Sequence, residues 1–233
     1  MSVNVVWFKR DLRLNDNAAI SDAINRNLPI ICLFNLDSQR IARSDVSAIH
    51  IEWELDCLRS LSKDIHQLGG VIKFNYGNIF EALEKLNLKY DIDSIIANEE
   101  TGLKWSWDRD KQVAEWCDFN RIKFVEHPSN GVVRKLKTRD NWEKYRDKRI
   151  SAQLFPKPSS MPSPSGSRSD DGSYGYGRGS TSTYSECGWV SAPTMSESRC
   201  ALGVACDLDQ ELLIAAGGYG GNSRYTINLD SSP

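Results

Sequence analysis

The sequence predicts an α/β protein with a doubly wound parallel sheet of five strands, followed by a largely disordered C-terminal tail. Five short apolar runs each give way to a helical pattern or a crossover, which is the alternation of βαβ units. Most of these runs are continuously apolar, as is typical of strands that are covered on both faces. Together these observations indicate a Rossmann-like sheet in about the first two thirds of the 233 residues.

The first strand, residues 3–8, is predicted to end at a charged cluster that contains Arg10, Asp11 and Arg13. Asp16 is predicted to cap the following helix, because its side chain can accept hydrogen bonds from the first free amides of that helix. In an open parallel sheet, ligands bind just beyond the carboxyl ends of the strands, so the cluster marks a candidate site. A group of solvated ion pairs, each worth only ~0–1 kcal/mol, is the alternative interpretation.

The elements that follow continue the alternation. Residues 29–34 are predicted to form a second strand ending at Asn35 and Asp37, which either face a ligand or simply form a turn. Apolar positions three to five residues apart predict a long helix over residues 44–68, which Gly69-Gly70 ends. In chain order, the remaining predicted elements are a strand at 71–74, a short helix after Gly77-Asn78, a strand at 94–97, a tryptophan-rich helix and a strand at 121–125.

Two glutamates and three tryptophans follow the fourth strand. Glu99 and Glu100 leave the strand, and the next helix contains Trp105, Trp107 and Trp116. Trp116 fits the apolar face of that helix. Since positions two apart on a helix do not face each other, Trp105 and Trp107 cannot both join the core, and one of them is predicted to lie at a pocket or an interface.

Composition excludes several classes of protein. The net charge of -2 shows no basic excess, so any contact with nucleic acid has to come from a local patch. The six cysteines form no C-x-x-C pair; Cys32, Cys57 and Cys117 are predicted to be free thiols, and no metal site is expected. Phosphate-binding glycine motifs are missing. No apolar run approaches the ~20 residues that span a bilayer, so a soluble, cytoplasmic protein is expected.

Three motifs resemble the N-terminal α/β domain of the cryptochrome and DNA photolyase family. They are the run VWFKRDLRLNDN at residues 6–17, EETG at 99–102 followed by WDRD at 107–110, and NGVVR at 130–134. The resemblance extends to about residue 158 and is closer to a bacterial photolyase-like branch than to animal cryptochromes. It implies an α/β antenna domain over residues 1–130 and, over residues 131–158, a linker helix leading towards an FAD-binding domain.

In that family the α/β domain carries an antenna chromophore (a folate, deazaflavin, flavin or lumazine) in a groove at the carboxyl ends of the strands. The resemblance implies an Asn-Glu pair for a folate-type site, about one turn before the R-D dipeptide at 109–110, but this stretch reads Trp105-Ser106-Trp107. A flat flavin-like or lumazine-like ring stacked on a tryptophan is therefore as plausible as folate. The cofactor-binding residues that the resemblance implies are Arg10, Asp11, Phe34, Asn35, Glu99, Glu100 and Trp105.

A basic stretch follows the fifth strand. Residues 134–149 contain eight Lys and Arg residues, together with Trp142 and Tyr145. Basic residues interleaved with aromatic ones suit phosphate and base contacts. The alternative is an exposed helix laced with salt bridges, because Asp140, Glu143 and Asp147 alternate with the basic residues; such a helix would dock on the FAD domain.

The resemblance stops before the tail, residues 159–233. Of the 35 residues from 159 to 193, 11 are Ser, 6 are Gly and 3 are Pro, a composition that predicts disorder or an out-of-frame sequence. No counterpart of the helical domain that holds FAD and the DNA lesion is found, so no catalytic residues are predicted. The expected function is the antenna-binding part of a light-dependent deoxyribodipyrimidine photo-lyase, apparently truncated. The alternatives are a cryptochrome-like blue-light signalling module or a non-functional product.

Overall fold

The computed structural model describes residues 1–164 and, further along the chain, four short strands. The strands of the first part are β1 (Ser2–Phe8), β2 (Ile30–Leu36), β3 (Val71–Tyr76), β4 (Asp91–Asn98) and β5 (Lys123–His127). The helices are α1 (Ala18–Asn25), α2 (Ser38–Ile41), α3 (Ala48–Gln67), α4 (Ile79–Lys89), α5 (Lys104–Phe119) and α6 (Trp142–Ile150). The five strands form one parallel sheet in the order β3-β2-β1-β4-β5, which confirms the predicted fold class.

Two hydrophobic cores cover the two faces of this sheet, because successive side chains of a strand point to opposite faces. On β1, Val6 and Phe8 contribute to the core beneath α1 and α3. Val5 and Trp7 contribute to the core beneath α4 and α5. From Val5 to Phe8 the central strand is continuously apolar. Its one fully buried polar side chain, Asn4, accepts a hydrogen bond from Ser94 of β4 at 2.6 Å.

Two helix starts differ from the predictions. Asn17, and not Asp16, is the N-cap of α1: its side chain accepts a hydrogen bond from the amide of Ile20 at 3.2 Å. Asp16 instead takes a left-handed backbone conformation, with φ of 49°. The long helix α3 begins at Ala48 rather than at residue 44, because the short helix α2, capped by Asp37, and a turn precede it. Its predicted end is confirmed: Gly69 has the positive φ, 81°, of a helix C-terminus.

The chain after α6 returns to the α/β unit and packs on it. The amide of Asp16 donates to the carbonyl of Phe155, and the amide of Ile30 donates to that of Pro162 at 2.7 Å. Met161 is only 2% exposed and lies in the core beside Cys32. The first residues of the predicted tail therefore belong to the packed unit, since Met161 is part of its hydrophobic core.

The later strands are β6 (Trp189–Ala192), β7 (Gly203–Asp207), β8 (Leu212–Ala216) and β9 (Arg224–Asn228), which pair antiparallel in the order β6-β9-β8-β7. The prediction of disorder in the rest of the tail falls outside the described residues. None of the helices in the described part combines the length and apolar character needed to cross a bilayer. In the same part, no three His, Cys, Asp or Glu side chains are grouped as metal ligands. Cys32, Cys57 and Cys117 are free thiols.

Candidate functional site

A pocket of about 260 Å³ lies between the carboxyl ends of β1 and β4. The chain leaves β1 towards α1 on one face of the sheet and leaves β4 towards α5 on the other. The two loops diverge, and in open α/β sheets the crevice at such a switch point is where ligands bind. The residues lining it are Lys9, Arg10, Asp11, Arg13, Asn98, Glu99, Glu100, Thr101, Gly102, Ser129 and Asn130.

Four of the seven residues predicted to bind a cofactor line this pocket. Arg10 and Asp11 reach it from the end of β1, and Glu99 and Glu100 reach it from the end of β4. They meet because β1 and β4 are neighbours in the sheet, with Trp7 opposite Ala97 in register. Four residues that were chosen because they follow strand ends in the sequence therefore share one pocket.

The other three predicted residues lie elsewhere. Phe34 is 1% exposed and belongs to the core beneath α1 and α3. Asn35 faces the β3 side, where its side chain donates to the carbonyl of Gly77 at 3.2 Å and accepts from Asn75. Trp105 is half-buried in the first turn of α5, with the guanidinium of Arg109 at 5.3 Å from its ring centroid. None of the three lines the pocket between β1 and β4.

The wall of the pocket on the α1 side is a hydrogen-bonded network. The side-chain amide of Asn98 donates to Asp11 at 2.6 Å and to Asn17 at 2.9 Å. Asn17 also donates to the carbonyl of Arg13 at 2.9 Å, while its own oxygen caps α1. The backbone amide of Lys9 donates to the second oxygen of Asp11 at 3.2 Å. Asp11 is thus held by donors from the end of β1, from β4 and, through a bond of 3.4 Å from Asn17, from the start of α1.

One acceptor in this wall has no donor. The oxygen Oδ1 of Asn98 is buried and receives no hydrogen bond from the described residues. The amide could not be turned around to relieve this, because its nitrogen already faces two acceptors, Asp11 and Asn17. An unsatisfied buried acceptor costs about 1–3 kcal/mol, so a hydrogen-bond donor placed here would be stabilised.

The wall on the α5 side is a buried cluster of six charges: Lys9, Glu100, Arg109, Asp110, Glu126 and Arg134. Lys9 donates to Asp110 at 2.8 Å and to Glu126 at 2.9 Å. Arg134 donates to Glu126 at 2.8 Å and also to the carbonyl of Glu100. Because its three positive side chains are balanced by three negative ones, the cluster has no net charge.

Arg109 joins this cluster to the tryptophans. It donates to Glu100 at 2.7 Å and to Asp110 at 2.8 Å, and its guanidinium lies 4.8 Å from the ring centroid of buried Trp7. Burial alone would lower the pKa of Arg109, but the charges and hydrogen bonds of Asp110 and Glu100 raise it above its ordinary value. The guanidinium therefore stays charged inside the protein, between Trp7 and Trp105.

The charges left for a ligand are positive. Asp11 and Glu100 are engaged by the walls, and Glu99 accepts from Arg149 at 3.2 Å. Arg10 is exposed at the rim and forms no ion pair with any described residue. Arg13 is exposed beside it, donates to the carbonyl of Asp16 at 3.0 Å and lies 3.8 Å from the carboxylate of that residue. No aromatic side chain lines the pocket. The site therefore suits a polar or anionic group rather than a stacked ring.

Sequence reasoning did not assign a site role to Lys9, Arg109, Asp110, Glu126 or Arg134. Four of these residues belong to the three family motifs: Lys9, Arg109, Asp110 and Arg134. The sequence therefore drew attention to these positions. Their pairing was not, because Lys9 and Glu126 are 117 residues apart and meet only when β5 is placed beside β4. The one local indication was Lys9, a charged residue that directly continues the buried strand β1.

The segment after β5 closes the far side of the pocket. Ser129 donates to the carbonyl of Glu99 at 2.7 Å, and Asn130 donates to the hydroxyl of Thr101 at 2.7 Å. The cation of Arg134 also covers the ring of Trp107 at 5.0 Å. Trp107 is thus at the contact between α5 and this segment, which is consistent with the prediction that one tryptophan lies at an interface.

Comparisons with known proteins agree on one family. A family model described as DNA photolyase matches residues 4–149. The deoxyribodipyrimidine photo-lyase of a Synechococcus strain is 28% identical over 120 residues, a match that covers 52% of this chain and 25% of that protein. The chain therefore spans about a quarter of the length of this relative.

Two solved structures share the fold. The cryptochrome of Synechocystis sp. has a TM-score of 0.59 at 14% identity, covering 71% of this chain and 38% of its own. An archaeal photolyase from Sulfolobus tokodaii has a TM-score of 0.56 at 20% identity, and the match covers 70% of this chain and 38% of that protein. Its description names two FAD molecules and the implication of a novel light-harvesting cofactor. These likenesses include a photolyase and a cryptochrome, so the bacterial photolyase-like branch stays a prediction.

Proposed function

Since this chain belongs to the DNA photolyase family, we propose that it binds a light-harvesting chromophore at the pocket between β1 and β4. The observation that carries the proposal is the convergence of Arg10, Asp11, Glu99 and Glu100 on one polar pocket at the switch point. The Sulfolobus photolyase, whose description implies a light-harvesting cofactor, supports the class of ligand.

The pocket suits the polar part of such a chromophore. At about 260 Å³ it is slightly smaller than the ~300–1,000 Å³ of most ligand sites, so it would enclose only a portion of a flavin, deazaflavin, lumazine or folate. Arg10 and Arg13 would face an anionic or hydroxyl-rich chain, and the unpaired Oδ1 of Asn98 would accept a hydrogen bond from it. The aromatic ring would lie outside this pocket.

Trp105 is the second element of the proposal. Its ring has Arg109 on one side, and its nitrogen Nε1 is buried without a partner among the described residues. An acceptor atom at the edge of the indole would satisfy this nitrogen, whereas a stacked chromophore ring would lie against the face of the indole. When bound, such a group absorbs near-ultraviolet or blue light; the protein residues only hold and orient it.

The chain is proposed to act as the antenna part of a light-dependent DNA-repair lyase, with FAD and the lesion held by further protein. It spans only about a quarter of the photo-lyase it resembles, and no catalytic residue is assigned to it. By itself it is expected not to repair pyrimidine dimers in the light. Repair by the purified chain without a second polypeptide would contradict this part of the proposal.

The binding test uses fluorescence titration of the full chain with riboflavin, flavin mononucleotide, a 5-deazaflavin, ribityllumazine and methenyltetrahydrofolate in turn. We expect at least one probe to bind, and Arg10→Gln to weaken that probe by about tenfold, the equivalent of ~1.4 kcal/mol for a lost charged hydrogen bond. Arg121→Gln is the matched control, because Arg121 is also exposed but precedes β5 at the opposite edge of the sheet. Failure of all five probes, or equal loss in both variants, would overturn the proposal.

A further inference from the structure

The segment after β5 contains an Asn-Gly pair, Asn130-Gly131, the only such pair in the 233 residues. Asn130 is exposed and lines the pocket, while Gly131 packs against α6. A β-carbon on Gly131 would lie 2.7 Å from Cγ of Arg146 and 3.2 Å from Cδ1 of Ile150, which is closer than side chains normally approach. The packing of α6 therefore requires a glycine directly after Asn130.

Both polar atoms of the Asn130 side chain are hydrogen-bonded. Its oxygen Oδ1 accepts from the backbone amide of Val132 at 2.8 Å, and its nitrogen Nδ2 donates to Oγ1 of Thr101 at 2.7 Å. The bond to Val132 closes a turn in which the side chain folds back over the peptide that follows it. This turn holds the amide carbon Cγ of Asn130 near the backbone nitrogen of Gly131.

The backbone nitrogen of Gly131 is not engaged. Its N–H donates no hydrogen bond to any residue in the part of the chain that the structure describes. Glycine also has no side chain that would shield the nitrogen. An N–H without a partner in the protein can lose its proton to water, and the nitrogen then becomes a nucleophile.

We propose that Asn130 is a modification site at which the fold itself promotes deamidation. The deprotonated nitrogen of Gly131 attacks Cγ of Asn130, an N–C bond forms, and Oδ1 becomes an oxyanion. The bond from Cγ to Nδ2 then breaks, Nδ2 leaves as ammonia after taking up one proton, and a succinimide ring remains. Water opens this ring on either side, which gives aspartate or isoaspartate and returns a proton to the nitrogen of Gly131.

The two hydrogen bonds of Asn130 lie where this reaction needs help. The amide of Val132 already donates to Oδ1, so it stabilises the oxyanion, as preorganised backbone amides do in enzymes. The Thr101 hydroxyl contacts the leaving nitrogen, which gains a lone pair when Cγ becomes tetrahedral, and can pass a proton to it. The same bonds also restrain the side chain, so protection from deamidation is the alternative, and it predicts the opposite change in rate.

The product changes the charge of the pocket. Asn130 lines it together with Arg10, so deamidation adds a carboxylate to a site whose unpaired charge is positive. An anionic group of a ligand would then bind more weakly, a consequence that rests on the proposed chromophore function. Isoaspartate also lengthens the backbone by one carbon directly before Gly131, whose contact with α6 is tight.

The experiment follows deamidation of the full chain by peptide mapping and mass spectrometry during incubation at neutral pH. The rate at Asn130 in the folded chain is compared with the rate at the same residue in guanidinium chloride, where only the Asn-Gly sequence acts. We expect the folded chain to react about tenfold faster, because the turn and its two hydrogen bonds are preorganised. A folded rate equal to or below the unfolded rate would overturn the proposal.

Variants of Thr101 test its role in proton transfer. Thr101→Val removes the hydroxyl and keeps the shape, so deamidation of the folded chain should slow by about tenfold, whereas Thr101→Ser should keep the wild-type rate. Ser151→Ala is the matched control, because it removes a hydroxyl bond to the carbonyl of Asp147 at the end of α6 and leaves Asn130 untouched. Faster deamidation in Thr101→Val, or an equal change in Ser151→Ala, would overturn the proposal.

The effect on the pocket is measured with Asn130→Asp. Flavin mononucleotide carries a phosphate and should bind about threefold more weakly to this variant, whereas riboflavin, which has no phosphate, should be weakened less. Equal weakening of the two probes would overturn the charge effect. Because the deamidation rates are measured without a ligand, failure of every chromophore probe would refute the chromophore proposal alone.

Discussion

Two gaps between neighbouring strands differ at the carboxyl edge of the sheet: the pocket lies between the ends of β1 and β4, whereas amide side chains bridge the ends of β2 and β3. Between β2 and β3, Asn75 donates to Asn35 and to the carbonyl of Asn78, and Asn35 donates to Gly77. Between β1 and β4, Asn98 donates to two acceptors, but its own oxygen has no donor among the described residues. The first network is closed and the second is open.

The comparison shows that diverging loops do not by themselves create a site. The helices after β2 and β3 also pack on opposite faces of the sheet, just as those after β1 and β4 do. In the β2/β3 gap the amide side chains bond to one another and to the loop backbone, and so fill it. In the β1/β4 gap the polar side chains bond to the two walls of the pocket and not across it. Asn98 donates to Asn17 on the α1 side, and Lys9 donates to Asp110 on the α5 side.

The largest expected effect comes from breaking the α5 wall. Asp110 is 3% exposed and accepts from Lys9 and Arg109, so Asp110→Asn leaves buried positive charge uncompensated. We expect the free energy of unfolding, measured by urea denaturation, to fall by about 3–5 kcal/mol. Asp108→Asn, which breaks an exposed pair with Lys104 on the same helix, should change the free energy of unfolding little. Similar losses in both would mean that packing, rather than charge, holds the wall.

A smaller effect is expected from breaking the closed network. Asn75→Leu removes the donor of Asn35 Oδ1 and should lower the free energy of unfolding by about 1–3 kcal/mol. It should leave chromophore affinity unchanged, whereas Asn98→Leu should reduce both quantities, because Asn98 lines the pocket. Weaker chromophore binding in Asn75→Leu would show that the two halves of the edge act as one site.

The smallest effect concerns the outer border of the open half, where His127 of β5 contacts Asp22 of α1 at 2.9 Å. Burial raises the pKa of Asp22, but the hydrogen bonds and charges of Arg26 and His127 outweigh it, so this pKa lies below its ordinary value of 3.8. A lowered carboxyl pKa stabilises the folded state above the unfolded pKa, and this stability is lost as the pH falls through the folded pKa.

We therefore expect Asp22→Asn to flatten the acid limb of stability below about pH 4, by less than about 1 kcal/mol because the pair is partly exposed. The measurement is the midpoint of urea unfolding at several acidic pH values, with Asp118→Asn as the control on the exposed surface of α5. A limb that is equally steep in wild type and Asp22→Asn would contradict a lowered pKa of Asp22.

Part of the candidate site was predictable because strand ends are visible in a sequence. Arg10 and Asp11, and likewise Glu99 and Glu100, follow apolar runs directly, and parallel strands bring such positions to one edge. Phe34 was misplaced for an equally local reason: β2 continues to Leu36, so Phe34 is still within the strand and points into the core.

The sequence by itself determined the parallel α/β sheet and the edge at which its polar residues gather, because apolar runs, helical periodicity and end signals act over a few residues. Only the tertiary structure decided which gap stays open. That choice depends on contacts such as Lys9 with Asp110 and Asn98 with Asp11, between residues about a hundred positions apart. Their geometry exists only after β4, α5 and β5 have packed beside β1.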